Sequence, residues 1–273
     1  MSSDLIGVGV AQFAPATDRD ANLRRIRLLT AEAAARGARV VIFPEYASYF
    51  VDPLDGSLAA QAEPLDGPFT GALQAIAREC EVTIVAGMAE SAAGGGAHNT
   101  AVAVSGSGVA ASYRKEHLYD AFGQRESEWV VAGEPRPPRL FDVDGLRCGI
   151  LTCYDLRFPE SARVLADAGA HLIAIPSEWV RGSRKEDHWQ TLLRARAIEN
   201  ALYVAAADHP PPLGVGLSAV VDPEGVVLAG LGTGEGVAVA PADRGQLERV
   251  RTRNPVLELR RYRVVPRETP GRA

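Results

Sequence analysis

Three side chains of complementary chemistry, Glu45, Lys115 and Cys153, each stand directly after a run that reads as a strand: RVVIFP before Glu45, ASYR before Lys115 and CGILT before Cys153. A thiol can attack an acyl carbon. A carboxylate can take the thiol proton and return it to a leaving amine, and an ammonium can offset charge growing on the acyl oxygen. Cys153 lies in LRCGILTCYDLRFPE, between an apolar run from Cys148 to Leu151 and a helix start at Pro159 and Glu160. In that setting the N–H groups and positive dipole end of the following helix favour thiolate over thiol, and a tight turn exposes the sulfur at the end of a sheet. Each residue also has a plainer reading: Cys153 as a small buried hydrophobe, Glu45 as a helix N-cap partner and Lys115 as a solvated loop charge.

The elements that would hold these residues follow from periodicity. Leu5 to Gln12 reads as a strand. Asp20 offers an N-cap to a helix whose apolar stripe is Leu23, Ile26, Leu29 and Ala33 and which Gly37 closes. Arg39 to Phe43 then suits a strand buried on both faces, completing a β-α-β unit with Glu45 just past its carboxyl end, where ligand chemistry gathers in open α/β sheets. Tyr46 to Pro68 is turn-rich and reads as a surface loop. A helix from Thr70 to Cys80 and a strand from Val82 to Gly87 come next, Gly94 to Gly96 read as a hairpin connection, and Asn99 to Val104 pairs with Ala110 to Arg114. The polar stretch from Lys115 to Pro138 is long for a compact domain, and its aromatic content argues for function rather than disorder.

In the second half, Leu140 to Val143 and Leu146 to Leu151 form a hairpin around Asp144-Gly145, and the Pro159 helix ends near Gly169. Strands at His171 to Ile175 and Leu202 to Ala207 flank an Arg-rich helix from Asp187 to Asn200. Strand pieces at Ser218 to Val221, Val226 to Leu231 and Val237 to Ala240 finish the sheet material. The glycines of GLGTGEG lead into a strand, so a dinucleotide fingerprint is rejected. The two β-α-β runs, near Glu45 and near Cys153, look like two halves of one plan.

Composition narrows the function classes. The 273 residues carry a net charge of −5 with scattered basic residues, which disfavours nucleic acid and anionic membrane as partners. No apolar run approaches the ~20 residues of a membrane span, and no signal core follows the N-terminus, so a soluble, cytoplasmic protein is expected. Three cysteines, Cys80, Cys148 and Cys153, cannot all pair, and His98, His117, His171, His188 and His209 form no HxxxH or HExxH pair, so neither a disulfide framework nor a metal is expected.

The combination of FPE at Glu45, YRKEHLYD at Lys115 and LTCYDLRFPE at Cys153, in that order, resembles the nitrilase superfamily of carbon–nitrogen hydrolases. The resemblance runs from GVAQF near the start through RARAIEN, at Arg194 to Asn200, and GLSAVVDPEG, at Gly216 to Gly225, to RNPVL. It implies a four-layer α-β-β-α sandwich over one domain spanning 1–273, a Glu45–Lys115–Cys153 triad without cofactor or metal, and a homodimer or larger assembly packed sandwich against sandwich. It also implies that the backbone N–H of Tyr154 joins Lys115 in holding an oxyanion, and that Glu126, in QRESE, orients Lys115 and the attacking water.

Branches acting on nitriles tend to carry Cys-Trp-Glu, whereas Cys153-Tyr154-Asp155-Leu156-Arg157-Phe158 looks like the branch that includes ω-amidase and deaminated glutathione amidase. Arg157 either binds a substrate carboxylate with two parallel hydrogen bonds or pairs internally with Asp155 or Glu160. The loop SEWVRGSRKEDHW departs from that branch, and its Glu178, Trp179 and Arg181 would reshape and recharge the pocket; Tyr49 completes the substrate-facing set. The reading is hydrolysis of a small carboxylate-bearing amide to acid and ammonia through a thioester. Its rivals are an N-carbamoyl amide hydrolase, a nitrilase and a non-catalytic metabolite-binding relative. The tail from about residue 253 to 273 is expected to dock on a neighbouring subunit or on its own domain.

Overall fold

The computed structural model describes residues 5–267. In chain order the elements are β1 (Leu5–Gln12), α1 (Arg19–Ala35), β2 (Val40–Ile42), α2 (Ser57–Ala60), α3 (Pro68–Cys80), β3 (Thr83–Ser91), β4 (Ala97–Ser105) and β5 (Gly108–Arg114). There follow β6 (Phe141–Val143), β7 (Leu146–Ile150), α4 (Pro159–Asp167), β8 (Leu172–Pro176), α5 (Lys185–Asn200), β9 (Tyr203–Ala207), β10 (Ala219–Val221), β11 (Val227–Gly230), β12 (Gly236–Asp243) and α6 (Arg244–Arg253).

These strands make two sheets of six, ordered β12-β1-β2-β3-β4-β5 and β6-β7-β8-β9-β10-β11. Both sheets repeat one pattern: one antiparallel pairing, two parallel ones, then two antiparallel ones. The parallel steps of the first sheet are spanned by α1 and α3, and those of the second by α4 and α5, as crossovers between parallel strands require. The sheets face each other across a core that includes Val8, Val10 and Ile42 from one and Ile150, Leu172 and Ala174 from the other. On the outer faces, Ile26, Leu29, Leu73 and Ile76 of α1 and α3 pack against the first sheet, and Leu165, Trp189 and Leu193 of α4 and α5 against the second. The result is a four-layer α-β-β-α sandwich. Strands such as β2 and β8 are buried along their whole length because helix covers one face and sheet the other.

Several boundaries differ from the reading of the sequence. The N-cap of α1 is Asp18, whose side chain accepts the Ala21 N–H at 2.9 Å, and Asp20 lies inside the first turn. The start of the stretch taken as a surface loop is interior: Tyr46 to Phe50 are buried, and Tyr46, Tyr49 and Phe50 pack with Leu58 of α2 and Val130. Turn-forming residues dominate only after Val51, and aromatic side chains carry the first part inward. Neither α2 nor α6 was anticipated, since α2 is a single turn and α6 buries only Leu247 and Val250. Past α6, Leu257 packs on the outer core of the second sheet and Arg260 pairs with Asp167 of α4. Leu257 and Arg260 thus hold the start of the tail to its own fold, whereas Leu259, Tyr262 and Val265 are exposed, and residues 268–273 lie outside the described residues.

Candidate active site

Glu45 leaves the end of β2, Lys115 the end of β5 and Cys153 the loop after β7, and the facing sheets bring all three into one buried cluster. Glu45, 1% exposed, has both carboxylate oxygens engaged. Its Oε1 accepts from Lys115 Nζ at 2.9 Å and from Asn99 Nδ2 at 2.6 Å, and its Oε2 accepts the Glu178 N–H at 2.7 Å. Its backbone is equally constrained. The His209 ring meets the Glu45 carbonyl at 2.8 Å, and a Cβ on Gly87 would come within 2.7 Å of Glu45 Cα, so only glycine lets β3 pass there.

Lys115, 2% exposed, also donates to Glu126 Oε2 at 2.7 Å. Glu126 is in turn held by Tyr46 Oη at 2.7 Å, Asn99 Nδ2 at 2.8 Å and the Tyr119 N–H at 2.6 Å. One ammonium thus lies between two carboxylates, and Asn99 ties those carboxylates together a second time. Lys115 is held protonated well above its ordinary range: burial opposes its charge, but both carboxylates favour it. The two glutamates separate: burial outweighs Lys115 at Glu45 and pushes it up, whereas at Glu126 burial is overcome by Lys115, the Tyr46 hydroxyl and the Tyr119 N–H, which hold it down. Glu45 is therefore the group of the cluster poised to accept a proton.

Cys153 sits at φ 44°, at the start of a 3-10 turn over Cys153–Arg157. Asp155, fully buried, anchors that turn. It accepts the Thr152 N–H at 3.1 Å and Tyr113 Oη at 2.9 Å on one oxygen, and His117 Nδ1 at 2.7 Å on the other. Tyr113 and His117 flank Lys115, so Asp155 registers the cysteine turn against the lysine strand.

The thiol itself departs from the expectation. Its sulfur is buried and donates to the Glu178 carbonyl at 3.2 Å, and burial, followed by the Glu45 charge, pushes its pKa well above the ordinary thiol value. The reason is local: α4 starts only at Pro159, past the turn that carries Cys153, whereas burial and the neighbouring Glu45 carboxylate act on the sulfur itself. The resting group is a thiol beside a base rather than a free thiolate. Glu178 therefore bridges nucleophile and carboxylate through its own backbone, its N–H on Glu45 and its carbonyl on Cys153.

The rest of the anticipated set divides. Tyr154 packs edgewise on Tyr119 and Phe158, and its amide has no acceptor among the described residues. Arg157 forms no ion pair among the described residues; Asp155 is held by other donors, and the guanidinium lies 4.6 Å from the Trp179 ring centre. Trp179 is a buried wall, its amide on Asp208 and its indole on the Lys185 carbonyl. Burial and the nearby Glu45 and Asp208 push the Glu178 carboxyl well up. Tyr49 stands apart, its hydroxyl on Ser57 at 2.7 Å, and Arg181 is exposed. Asn99, Tyr46, Asp155 and Asp208 were missed as site residues. A buried polar residue inside the apolar run of β4 was the available signal for Asn99.

The carbon–nitrogen hydrolase family model matches residues 7–252, and the chain belongs to that family. A hydrolase of Mycobacterium tuberculosis is 38% identical over 268 residues, covering 92% of this chain and 94% of that protein. The deaminated glutathione amidase of Escherichia coli O157:H7 is 36% identical over 256 residues, covering 93% and 97%. Among solved structures, a variant of the Nesterenkonia AN1 amidase of the nitrilase superfamily superposes with a TM-score of 0.80 at 28% identity, covering 96% of this chain and 95% of that one.

Proposed function

We propose that the protein is an amidase that hydrolyses a small carboxylate-bearing amide to acid and ammonia, with Cys153 as nucleophile, Glu45 as general base and acid, and Lys115 as oxyanion stabiliser. The observation that carries this reading is the clamp at Glu178, whose N–H fixes the Glu45 carboxylate and whose carbonyl holds the Cys153 thiol. Base and nucleophile are thereby kept in register before substrate arrives. Glu45 takes the thiol proton as sulfur attacks the amide carbon, and the Lys115 ammonium and the unengaged Tyr154 N–H accept the developing oxyanion. Collapse breaks the carbon–nitrogen bond, and the proton on Glu45 leaves with ammonia. Water then attacks the thioester, giving its proton to Glu45, and the thiol is regenerated with the acid product. Glu126 keeps Lys115 oriented throughout and completes the catalytic set.

Arg157, with no carboxylate partner among the described residues, is the proposed anchor for the substrate carboxylate, with Tyr154 and Trp179 forming the wall of the pocket. Two copies packed sandwich against sandwich are the proposed assembly. Ammonia release from a panel of ω-amides, N-carbamoyl amino acids and nitriles tests the reading. Turnover confined to ω-amides supports it, whereas carbon dioxide released together with ammonia assigns the protein to carbamoyl hydrolysis instead.

A further inference from the structure

Arg157 is not the only cation set against these rings. Lys185, the first residue of α5, is 5% exposed, and among the described residues it forms no ion pair. Among the described residues its ammonium has one conventional partner, Tyr119 Oη at 2.8 Å, and otherwise faces rings: Phe122 at 4.1 Å, Tyr119 at 4.9 Å and Trp179 at 5.7 Å from their centres. The Arg157 guanidinium lies over two of the same rings, 4.6 Å from Trp179 and 5.5 Å from Phe122. Its Nε is buried without an acceptor, and one Nη meets His188 only at 3.4 Å. A lysine withdrawn from water without a carboxylate is costly, and a second cation beside it raises the cost. Burial and Arg157 accordingly push the Lys185 pKa down.

We infer that Lys185 is a specificity-determining residue of the amidase, which together with Arg157 forms a two-cation seat for the carboxylate at the far end of the acyl chain. This rests on the amidase reading above and adds a second arm to it. A carboxylate has two oxygens with about four acceptor positions. The Arg157 fork satisfies two in parallel, and the Lys185 ammonium, over the same Phe122 and Trp179 rings, offers a further charged donor. The rings of Phe122, Trp179 and Tyr119 exclude water and strengthen both contacts, and while the seat is empty they stabilise the two cations by cation–π contact. Phe122 is 68% exposed, as suits a ring that covers the seat from the solvent side.

The test uses Lys185→Met, which keeps the aliphatic stem, and Lys185→Arg, which keeps the charge. The ratio of kcat/KM for an ω-amide ending in a carboxylate to that for a neutral amide of equal length should fall about 10- to 100-fold in Lys185→Met, mainly through KM, with partial recovery in Lys185→Arg. Calorimetric binding of glutarate, which needs no turnover, should weaken by a similar factor. An unchanged ratio with unchanged glutarate affinity overturns the proposal and makes Lys185 a structural partner of Tyr119. If wild type releases no ammonia from any amide, the amidase reading fails by itself, and glutarate binding still decides whether the two cations form an anion seat.

Discussion

The first sheet and the second meet at Cys153, yet they finish their share of the site differently. On the first-sheet side, all four carboxylate oxygens of Glu45 and Glu126 have donors, and Lys115 is paired twice at under 3 Å. On the second-sheet side, the half-buried Arg157 and the buried Lys185 have rings for neighbours and, among the described residues, no carboxylate. A cluster whose charges are all paired is preorganised and needs no rearrangement at the moment of reaction, which suits proton transfer and oxyanion binding. An unsatisfied one holds its binding energy for a partner that comes from outside. The difference teaches where chemistry and selectivity separate: damage to the first side should appear in kcat and stability, damage to the second in the choice of substrate.

The largest effect should come at the point where the sides meet. Cys153→Ala is expected to abolish ammonia release while the thermal transition persists, whereas Cys80→Ala and Cys148→Ala retain activity; wild-type turnover in Cys153→Ala would end the mechanism. Lys115→Met tests the satisfied side directly. Losing an oxyanion donor costs ~10²–10³ in kcat, and leaving two buried carboxylates without their cation costs about 3–5 kcal/mol of stability, readable by urea unfolding. A loss confined to KM would move Lys115 to the recognition side of the comparison.

Arg157→Gln probes the unsatisfied side. The preference for a carboxylate-bearing over a neutral amide should fall about 10- to 150-fold with part recovered in Arg157→Lys, and unfolding free energy should hold or rise, because a partly buried guanidinium without a carboxylate partner is removed. Equal damage to both substrates would make Arg157 structural.

Asn99→Ala sharpens the account of Glu45. The base works ionised, so kcat/KM falls as pH drops through a Glu45 pKa that burial raises above 4.5. Asn99 lowers that pKa by donating to the carboxylate, so its removal should move the acid limb to higher pH and cost about 10-fold in kcat. An unmoved limb would show that Asn99 only fills space.

The smallest effect concerns His117, on the link between the two sides. Its pKa is raised because Asp155 outweighs burial, so the protonated ring stabilises the fold below the ordinary value of 6.5, and that contribution is lost as pH rises through the folded value. The melting temperature of wild type should decline slightly above pH 6.5 relative to His117→Gln, and parallel curves would contradict the pairing.

Much of this was legible in the chain. Alternation and apolar runs marked the strands, and strand ends marked Glu45, Lys115 and Cys153, because a residue just past a buried strand has few places to go but the sheet end. Local pattern failed where partners are remote. The Glu178 clamp joins residues 133 and 25 positions apart, and Asn99 reaches Glu45 across 54. Tyr46 to Phe50 read as surface because turn residues follow them, although their rings fill a cluster assembled from α2, β3, β4 and the Glu126 loop. The protonation state of Cys153 was misread for the same reason: a helix start six residues ahead is visible in sequence, but the burial of the sulfur and the Glu45 charge that folding brings near it are not. By itself the sequence determined which residue types stand at which strand ends, and hence the class of chemistry. Tertiary structure alone decided which of them keep a proton, which find a counter-charge and which are left waiting, because burial and neighbouring charge are properties of the assembled site and not of any segment.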